Sequence, residues 1–164
     1  MDQTPVGRLL IAGTDDGLHH VSFQEAHFSS DAVEIGLDWI EDGRFLEDTV
    51  RQLGEYFSGK RKQFDLKVAP AGTAFQKQVW SALTRIPFGM TASYSDIAAA
   101  IGNPNASRAV GLANGQNPVA IVIPCHRIVG QSGRLIGYGG GLDRKQLLLS
   151  LESGVRPLPA TLHH

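Results

Sequence analysis

The 164-residue sequence has a single cysteine, Cys125, so no internal disulfide forms. Cys125 is either a small buried apolar residue or a working thiol. No apolar run approaches the roughly 20 residues needed to cross a bilayer. The start Met1-Asp2-Gln3-Thr4-Pro5 lacks the basic and apolar regions of a signal peptide, and a cytoplasmic address is the expectation. Acidic residues are scarce in the second half. Residues 70–150 hold only Asp96 and Asp143 against seven Lys/Arg, a balance of +5, whereas residues 1–69 hold thirteen Asp/Glu against seven Lys/Arg, a balance of −6. The overall charge of −1 conceals this division. Such asymmetry suggests that the second half meets nucleic acid, although an acidic face docked on a basic one within the same protein gives the same pattern.

With 42% hydrophobic residues the chain is long enough for one core or for two small domains packed together. Gly7 to Ala12, a turn over Gly13-Thr14-Asp15-Asp16-Gly17, and Leu18 to Phe23 read as a hairpin. Residues 26–44 are polar and poorly patterned. Leu46 to Phe57 predicts a helix with Leu46, Val50, Leu53 and Phe57 on one stripe, ended by Ser58-Gly59, and Phe64 to Val68 predicts a strand. A boundary at Ala69-Pro70-Ala71-Gly72 divides the chain into an N-terminal domain, 1–69, a second domain, 70–156, and a loose tail, 157–164.

Beyond the boundary, Thr73 and Gln76 form a capping box for a helix whose apolar face is Phe75, Val79, Ala82, Leu83 and Ile86, stopped by Pro87 and Gly89. Ser95 is placed to cap a short helix, Asp96 to Ile101. Gly102-Asn103-Pro104-Asn105 then makes a turn, and Ala106 to Asn114 a second helix, giving a helix-turn-helix outline. The second helix carries Ala106, Ser107, Ala109, Gly111 and Ala113, small residues that allow close approach to a partner or to another helix. Val119 to Ile123 reads as a buried strand cut short by Pro124, Gly137 to Gly141 as a loop, and Asp143 as the cap of a final helix. That helix turns Leu147, Leu148 and Leu151 inward and ends at Glu152.

A free cysteine is only a few per cent thiolate at neutral pH, so a nucleophilic one needs a base or a positive charge nearby. His126 and Arg127 follow at once, though neighbours on a strand point to opposite faces. The wider run Ile121-Val122-Ile123-Pro124-Cys125-His126-Arg127-Ile128-Val129 resembles the active-site signature of the O6-alkylguanine-DNA alkyltransferases. The resemblance extends through Thr73-x-Phe75-Gln76-x-x-Val79-Trp80, Ser93-Tyr94, Arg108-Ala109-Val110-Gly111, Asn117-Pro118-Val119, Gly137-Tyr138-x-Gly140-Gly141-Leu142 and Lys145 to Glu152. It covers residues 73–152 closely and 5–68 more loosely, through the hairpin and Tyr56-Phe57-x-Gly59.

The resemblance implies an α/β protein, with a small ribonuclease-H-like N-terminal domain and a helical, winged-helix-like C-terminal domain that enters the DNA minor groove. It implies repair of O6-alkylguanine, and of O4-alkylthymine, by one irreversible transfer to the protein after the base is flipped out. By this likeness Cys125 is the alkyl acceptor, His126 the base that reaches the sulfur through a water, and Glu152 the carboxylate that orients the histidine. Asn117 braces the site, and Tyr94 supplies a proton to the departing base. Arg108 enters the stack that the base leaves, with Asn103, Ser95, Ser107, Ala109, Gly111 and Tyr94 along the DNA-binding surface. Tyr138, Gly139, Gly140 and Val119 line the substrate pocket, and Arg127 is a structural ion-pair partner.

Some relatives hold a structural zinc partly through N-terminal cysteines. This chain has none there, and His19, His20 and His27 do not compose a closed site without a thiol, so neither metal nor cofactor is expected. Gly139, often a serine in relatives, removes a hydroxyl near the base and leaves the preference among adducts open. A monomer is expected, with cooperative assembly on DNA left open. Two other classes compete. A damage-binding protein would lack the acceptor cysteine, and a hydrolase using Cys125, His126 and Glu152 would turn over repeatedly and have no use for Arg108.

Overall fold

The structure, a computed structural model, describes residues 1–24, 42, 44 and 46–154. The polar segment 26–44, apart from 42 and 44, therefore lies outside the described residues, as do His27 and the tail 157–164.

Strands β1 (Leu9–Thr14) and β2 (Gly17–Phe23) pair antiparallel, with Asp15 and Asp16 alone at the tip. The turn is tighter than the expected five residues. Gly13 and Thr14 join the strand, and the register shifts at Ala12/Gly13, as a bulge allows. Gly17 has φ 134°, and a Cβ there would meet the Lys67 carbonyl oxygen at 2.7 Å. Only glycine admits that approach. The approach is a pairing: Leu18 N–H donates to Lys67 O (2.8 Å) and Ala69 N–H to Leu18 O (2.9 Å).

The strand expected over Phe64 to Val68 is reduced to a one-residue parallel bridge, Leu18 with Val68. Its alternation survives, with Phe64, Leu66 and Val68 half-buried and Asp65 and Lys67 exposed. The backbone of Asp65 is served instead by the Gln52 side chain, which accepts from its N–H (2.9 Å) and donates to its carbonyl (3.0 Å). Gln52 belongs to α1 (Glu47–Phe57), whose buried face is Thr49, Gln52, Leu53 and Tyr56. The expected stripe is thus rotated, and Val50 is 40% exposed. Hydrogen bonds made by Gln52 and Tyr56 reward a polar inner face that an apolar pattern cannot show.

Helix α2 (Ala74–Leu83) starts at the Thr73–Gln76 capping box and buries Val79, Trp80, Ala82 and Leu83. Trp80 donates its indole N–H to Ala113 O at 2.9 Å, joining α2 to α4. Helix α3 (Tyr94–Ala100) is capped by Ser93, not Ser95, because Asp96 completes a capping box with Ser93. Ser95 lies within the helix, bonded to Ser93 (3.0 Å) and Gln131 (2.9 Å). After a turn, α4 (Ser107–Gly115) packs on α2 and α3.

The largest departure is Val119 to Ile123, which is no strand. Val119 alone bridges Val21 in parallel, through Val21 N–H to Pro118 O and Ala120 N–H to Val21 O, both 3.0 Å. The chain then coils: Ile123 N–H returns to Val119 O (3.0 Å), Val122 N–H to Ala120 O (2.8 Å), and Ile121 takes φ 71°. A fully apolar run has no period by which to tell a strand from a buried coil. Cys125–Arg127 form a single 3-10 turn, followed by β4 (Ile128–Val129), which pairs in parallel with β3 (Ala92–Ser93). Cys125 and His126 are therefore neighbours on a turn and not alternate residues of a strand.

Helix α5 (Leu142–Ser153) begins after Gly141 at φ 88°; Asp143 makes no cap and lies in the first turn, where its charge suits the helix dipole. Leu148 is fully buried with Lys145 and Glu152, while Leu147 and Leu151 are half-buried. One continuous core joins Leu9, Leu18, Val21, Leu53 and Tyr56 to Val79, Leu83, Val110, Ile123 and Leu148.

Candidate active site

Asn117 holds the coiled segment shut. Its amide donates to Ile123 O (2.9 Å) and Val119 O (3.4 Å), and its Oδ1 accepts from Val119 N–H (3.0 Å). These bonds replace the ladder that a strand would have used, and they deliver Cys125 to the floor of a cleft of about 640 Å³. Tyr94 of α3, with Gly111 and Asn114 of α4, forms one wall, and Tyr138, Gly139 and Gly140 form the facing loop. Residues 20–23 of β2 close a third side.

Cys125 is 6% exposed. Burial pushes its thiol up, and the Asn117 amide, the Lys145 charge and the Tyr138 hydroxyl counter this only in part. The resting sulfur is thus protonated, and attack needs a base. His126 is fully buried, and burial lowers its pKa more than Glu152 raises it, so the ring is neutral at pH 7. Its Nε2 lies 2.7 Å from Glu152 Oε1. The ionised carboxylate only accepts, so Nε2 carries the ring hydrogen and Nδ1 keeps its lone pair. Nδ1 is buried with no hydrogen-bond partner among the described residues.

Glu152 is the hub. Arg127 Nε and Nη2 donate to it at 2.9 and 2.8 Å, Tyr56 OH at 2.8 Å and Gly89 N–H at 3.4 Å. Burial alone would push this carboxyl up, but the hydrogen bonds from His126 and Arg127, with the Arg127 charge, outweigh it and hold the pKa at about 2. Arg127 also donates to Ile86 O at 2.7 Å and lies against the Phe88 ring, an ion-pair partner locked in the core.

Burial and the neighbouring Cys125 raise the pKa of both Tyr94 and Tyr138, so both hydroxyls keep their protons. The Tyr138 hydroxyl is buried beside Cys125 and meets no geometric hydrogen-bond partner among the described residues. A Cβ on Gly140 would strike Phe23 at 2.7 Å, whereas Gly139 faces open space with room for a larger side chain. Val119 does not line the cleft. It is fully buried in the core, because its bridge to Val21 turns it away from the opening.

On the outer surface Arg108, Ala109 and Asn103 are exposed, and Ser95, Ser107 and Gly111 are half-buried. Leu112, one turn after Arg108 on the same helical face, is 66% exposed. Three participants were given no role in the sequence reading. Tyr56 reaches Glu152 across 96 positions of sequence, and no local pattern announces that. Lys145 is fully buried and donates to Ile136 O (2.9 Å) and Gly137 O (3.4 Å), pinning the loop that carries Tyr138. The signal was its place on one stripe with Leu148 and Glu152. Asn114 faces the cleft beside Gly111, and its signal was an amide among small residues.

Comparison with known proteins gives a consistent picture. The family model described as "6-O-methylguanine DNA methyltransferase, ribonuclease-like domain" matches residues 2–70, and that described as "6-O-methylguanine DNA methyltransferase, DNA binding domain" matches residues 74–154. A methylated-DNA–protein-cysteine methyltransferase of Methanosarcina barkeri is 53% identical over 150 residues, 92% of this chain and 93% of that protein. One of Mycolicibacterium paratuberculosis is 48% identical over 159 residues, 97% of this chain and 94% of that protein. The crystal structure of Mycobacterium tuberculosis OGT in complex with DNA matches with TM-score 0.85 and 44% identity, covering 96% of this chain and 92% of that one. An N-terminal domain followed by a DNA-binding domain is therefore the architecture of this mixed α/β chain.

Proposed function

Because this chain belongs to the 6-O-methylguanine DNA methyltransferase family, we propose that it repairs DNA by moving the alkyl group of a damaged base onto Cys125. The activity is that of a methylated-DNA–protein-cysteine methyltransferase. The observation that carries the assignment to Cys125 is its position: the chain's one thiol lies on the floor of a cleft between two protonated tyrosines, next to a neutral histidine whose tautomer is set by Glu152.

In the proposed reaction His126 Nδ1 takes the thiol proton through a bridging water, and Glu152 stabilises the imidazolium that results. The sulfur forms a bond to the alkyl carbon as the bond from that carbon to O6 breaks, and the electron pair leaves with the base. Tyr94 gives the departing base a proton. The thioether product resists hydrolysis, so each copy acts once. O6-alkylguanine is the principal substrate, and O4-alkylthymine presents the same alkyl ether.

The cleft holds Cys125 well inside the molecule, which supports a mechanism in which the nucleotide is flipped out of the duplex. We assign α3, the turn and α4 to a helix-turn-helix within a winged-helix-like domain, residues 70–156, approaching through the minor groove. Arg108 fills the gap left by the base, with Asn103, Ser95, Ser107, Ala109 and Gly111 along the contact, and its exposure on α4 supports this. Residues 1–69 form the ribonuclease-H-like domain. The protein works as a cytoplasmic monomer without a cofactor.

Intact mass after mixing with duplex DNA containing O6-methylguanine tests the reading. A stable gain of one methyl group, absent in Cys125→Ala, is expected. Tight binding without a gain would mean a damage sensor, and repeated turnover of an ester would mean a hydrolase.

A further inference from the structure

Tyr56 of α1 is wholly buried, and three phenylalanine rings hold it: Phe57 and Phe64 with centroids at 5.4 Å and Phe88 at 6.1 Å. A fourth phenylalanine would suit such a cage. The hydroxyl is therefore the feature to explain, because burying it is unfavourable unless it is hydrogen-bonded. Its one hydrogen bond among the described residues goes to Glu152 Oε1 at 2.8 Å. Burial and the Glu152 charge push its pKa well above the ordinary tyrosine value, so it stays a donor. The same oxygen accepts from His126 Nε2 at 2.7 Å and Arg127 Nη2 at 2.8 Å, whereas Oε2 has Arg127 Nε at 2.9 Å and the long contact from Gly89 N–H at 3.4 Å. Three donors thus crowd an oxygen that offers about two lone-pair sites.

We propose that Tyr56 is a positioning residue for the alkyl transfer: by sharing Glu152 Oε1 with the His126 ring, it fixes the carboxylate against that ring and limits how far the carboxylate strengthens His126 as a base. The inference rests on the alkyl-transfer reading above. The imidazolium formed when Nδ1 takes the thiol proton is stabilised by the negative charge on Oε1, and every further donor on that oxygen reduces the charge left for Nε2–H. The other charged or titratable groups about the pair are Arg127 and Cys125 on the same turn and Lys145 on α5, with Tyr138 beyond Cys125. All of these come from the DNA-binding domain. Among the described residues Tyr56 is the one such group from the N-terminal domain, which therefore reaches the chemistry through this hydroxyl.

Tyr56→Phe removes the hydroxyl and keeps the ring. Single-turnover rates of methyl gain from saturating duplex DNA containing O6-methylguanine are read by intact mass across the acidic and neutral range, with melting curves confirming that each protein is folded. His126 must be neutral to accept the proton, so the rate climbs with pH through its titration. Without the hydroxyl the imidazolium is better stabilised and the climb moves to higher pH. On the rising limb the variant is expected to be about three- to tenfold slower than the unmodified protein, and on the plateau within about twofold. Incorporation of 3-fluorotyrosine at position 56 gives a stronger donor and moves the limb to lower pH; it decides the matter alone should Tyr56→Phe not fold. Phe64→Leu loosens the cage while keeping the hydroxyl, and is expected to lower the melting temperature and leave the limb in place. A limb that neither replacement at position 56 moves, or that Phe64→Leu moves as far, overturns the inference and leaves the transfer reading intact. An unmodified protein that gains no methyl group overturns both.

Discussion

At Glu152 a single carboxylate answers His126, Arg127 and Tyr56, and the pH dependence of the protein follows from it. Its pKa of about 2 lies below the ordinary 4.5, so the stability it contributes is full above pH 4.5 and is lost as pH falls toward 2. His126 acts in the same direction. Its folded pKa lies below the ordinary 6.5, so the unfolded chain takes up this proton first and acidification below 6.5 favours unfolding. Melting temperature is therefore expected to fall progressively from about pH 6.5 downward, and a rise on acidification would contradict the arrangement. Glu152→Gln removes the lower part of that dependence. It also strands the buried Arg127 guanidinium, with an expected loss of about 3–5 kcal/mol in denaturant titration.

On the scale of elements, α4 serves two surfaces at once. Its inner face packs Val110 and Ala113 into the core, and its cleft face presents Gly111 to the Tyr94 ring. A Cβ on Gly111 would lie 3.6 Å from that ring, an ordinary contact, so the glycine is not forced by packing within the protein. Gly111→Ala is expected to stabilise the fold by up to about 1 kcal/mol, since glycine weakens a helix interior. The same methyl group narrows the cleft wall where the flipped base must enter. Slower methyl transfer from duplex DNA should accompany the higher melting point, and a variant both more stable and equally fast would show that the base does not pass Gly111.

Across the whole molecule, Cys125 ties the two halves together. The segment before it bridges β2 at Val21, Asn117 closes that segment, and the turn it begins leads through Arg127 to α5 and through Tyr56 to α1. An added methyl at a packed site costs about 1–3 kcal/mol in strain. For a domain of this size that lowers the melting temperature by roughly 2–12 °C. The fully methylated protein is expected to melt lower than the native form, and an unchanged or raised midpoint would show that the cleft absorbs the group freely.

Local chemistry was legible without coordinates wherever a residue acts on its near neighbours. The Thr73–Gln76 capping box, the hairpin and the small-residue helix α4 could be read from spacing, whereas the roles of Cys125 and His126 came with the family signature. The family signature added Asn117 and Glu152. What needed the tertiary structure depends on partners far apart in sequence. Val119 to Ile123 looked like a strand because an apolar run reports burial without direction, and only the Asn117 side chain and the Val21 bridge decide that it coils. The stripe of α1 turned because Gln52 and Tyr56 find polar partners at Asp65 and Glu152. The resting protonation of Cys125 was settled the same way, since burial sets it and burial belongs to the assembled core.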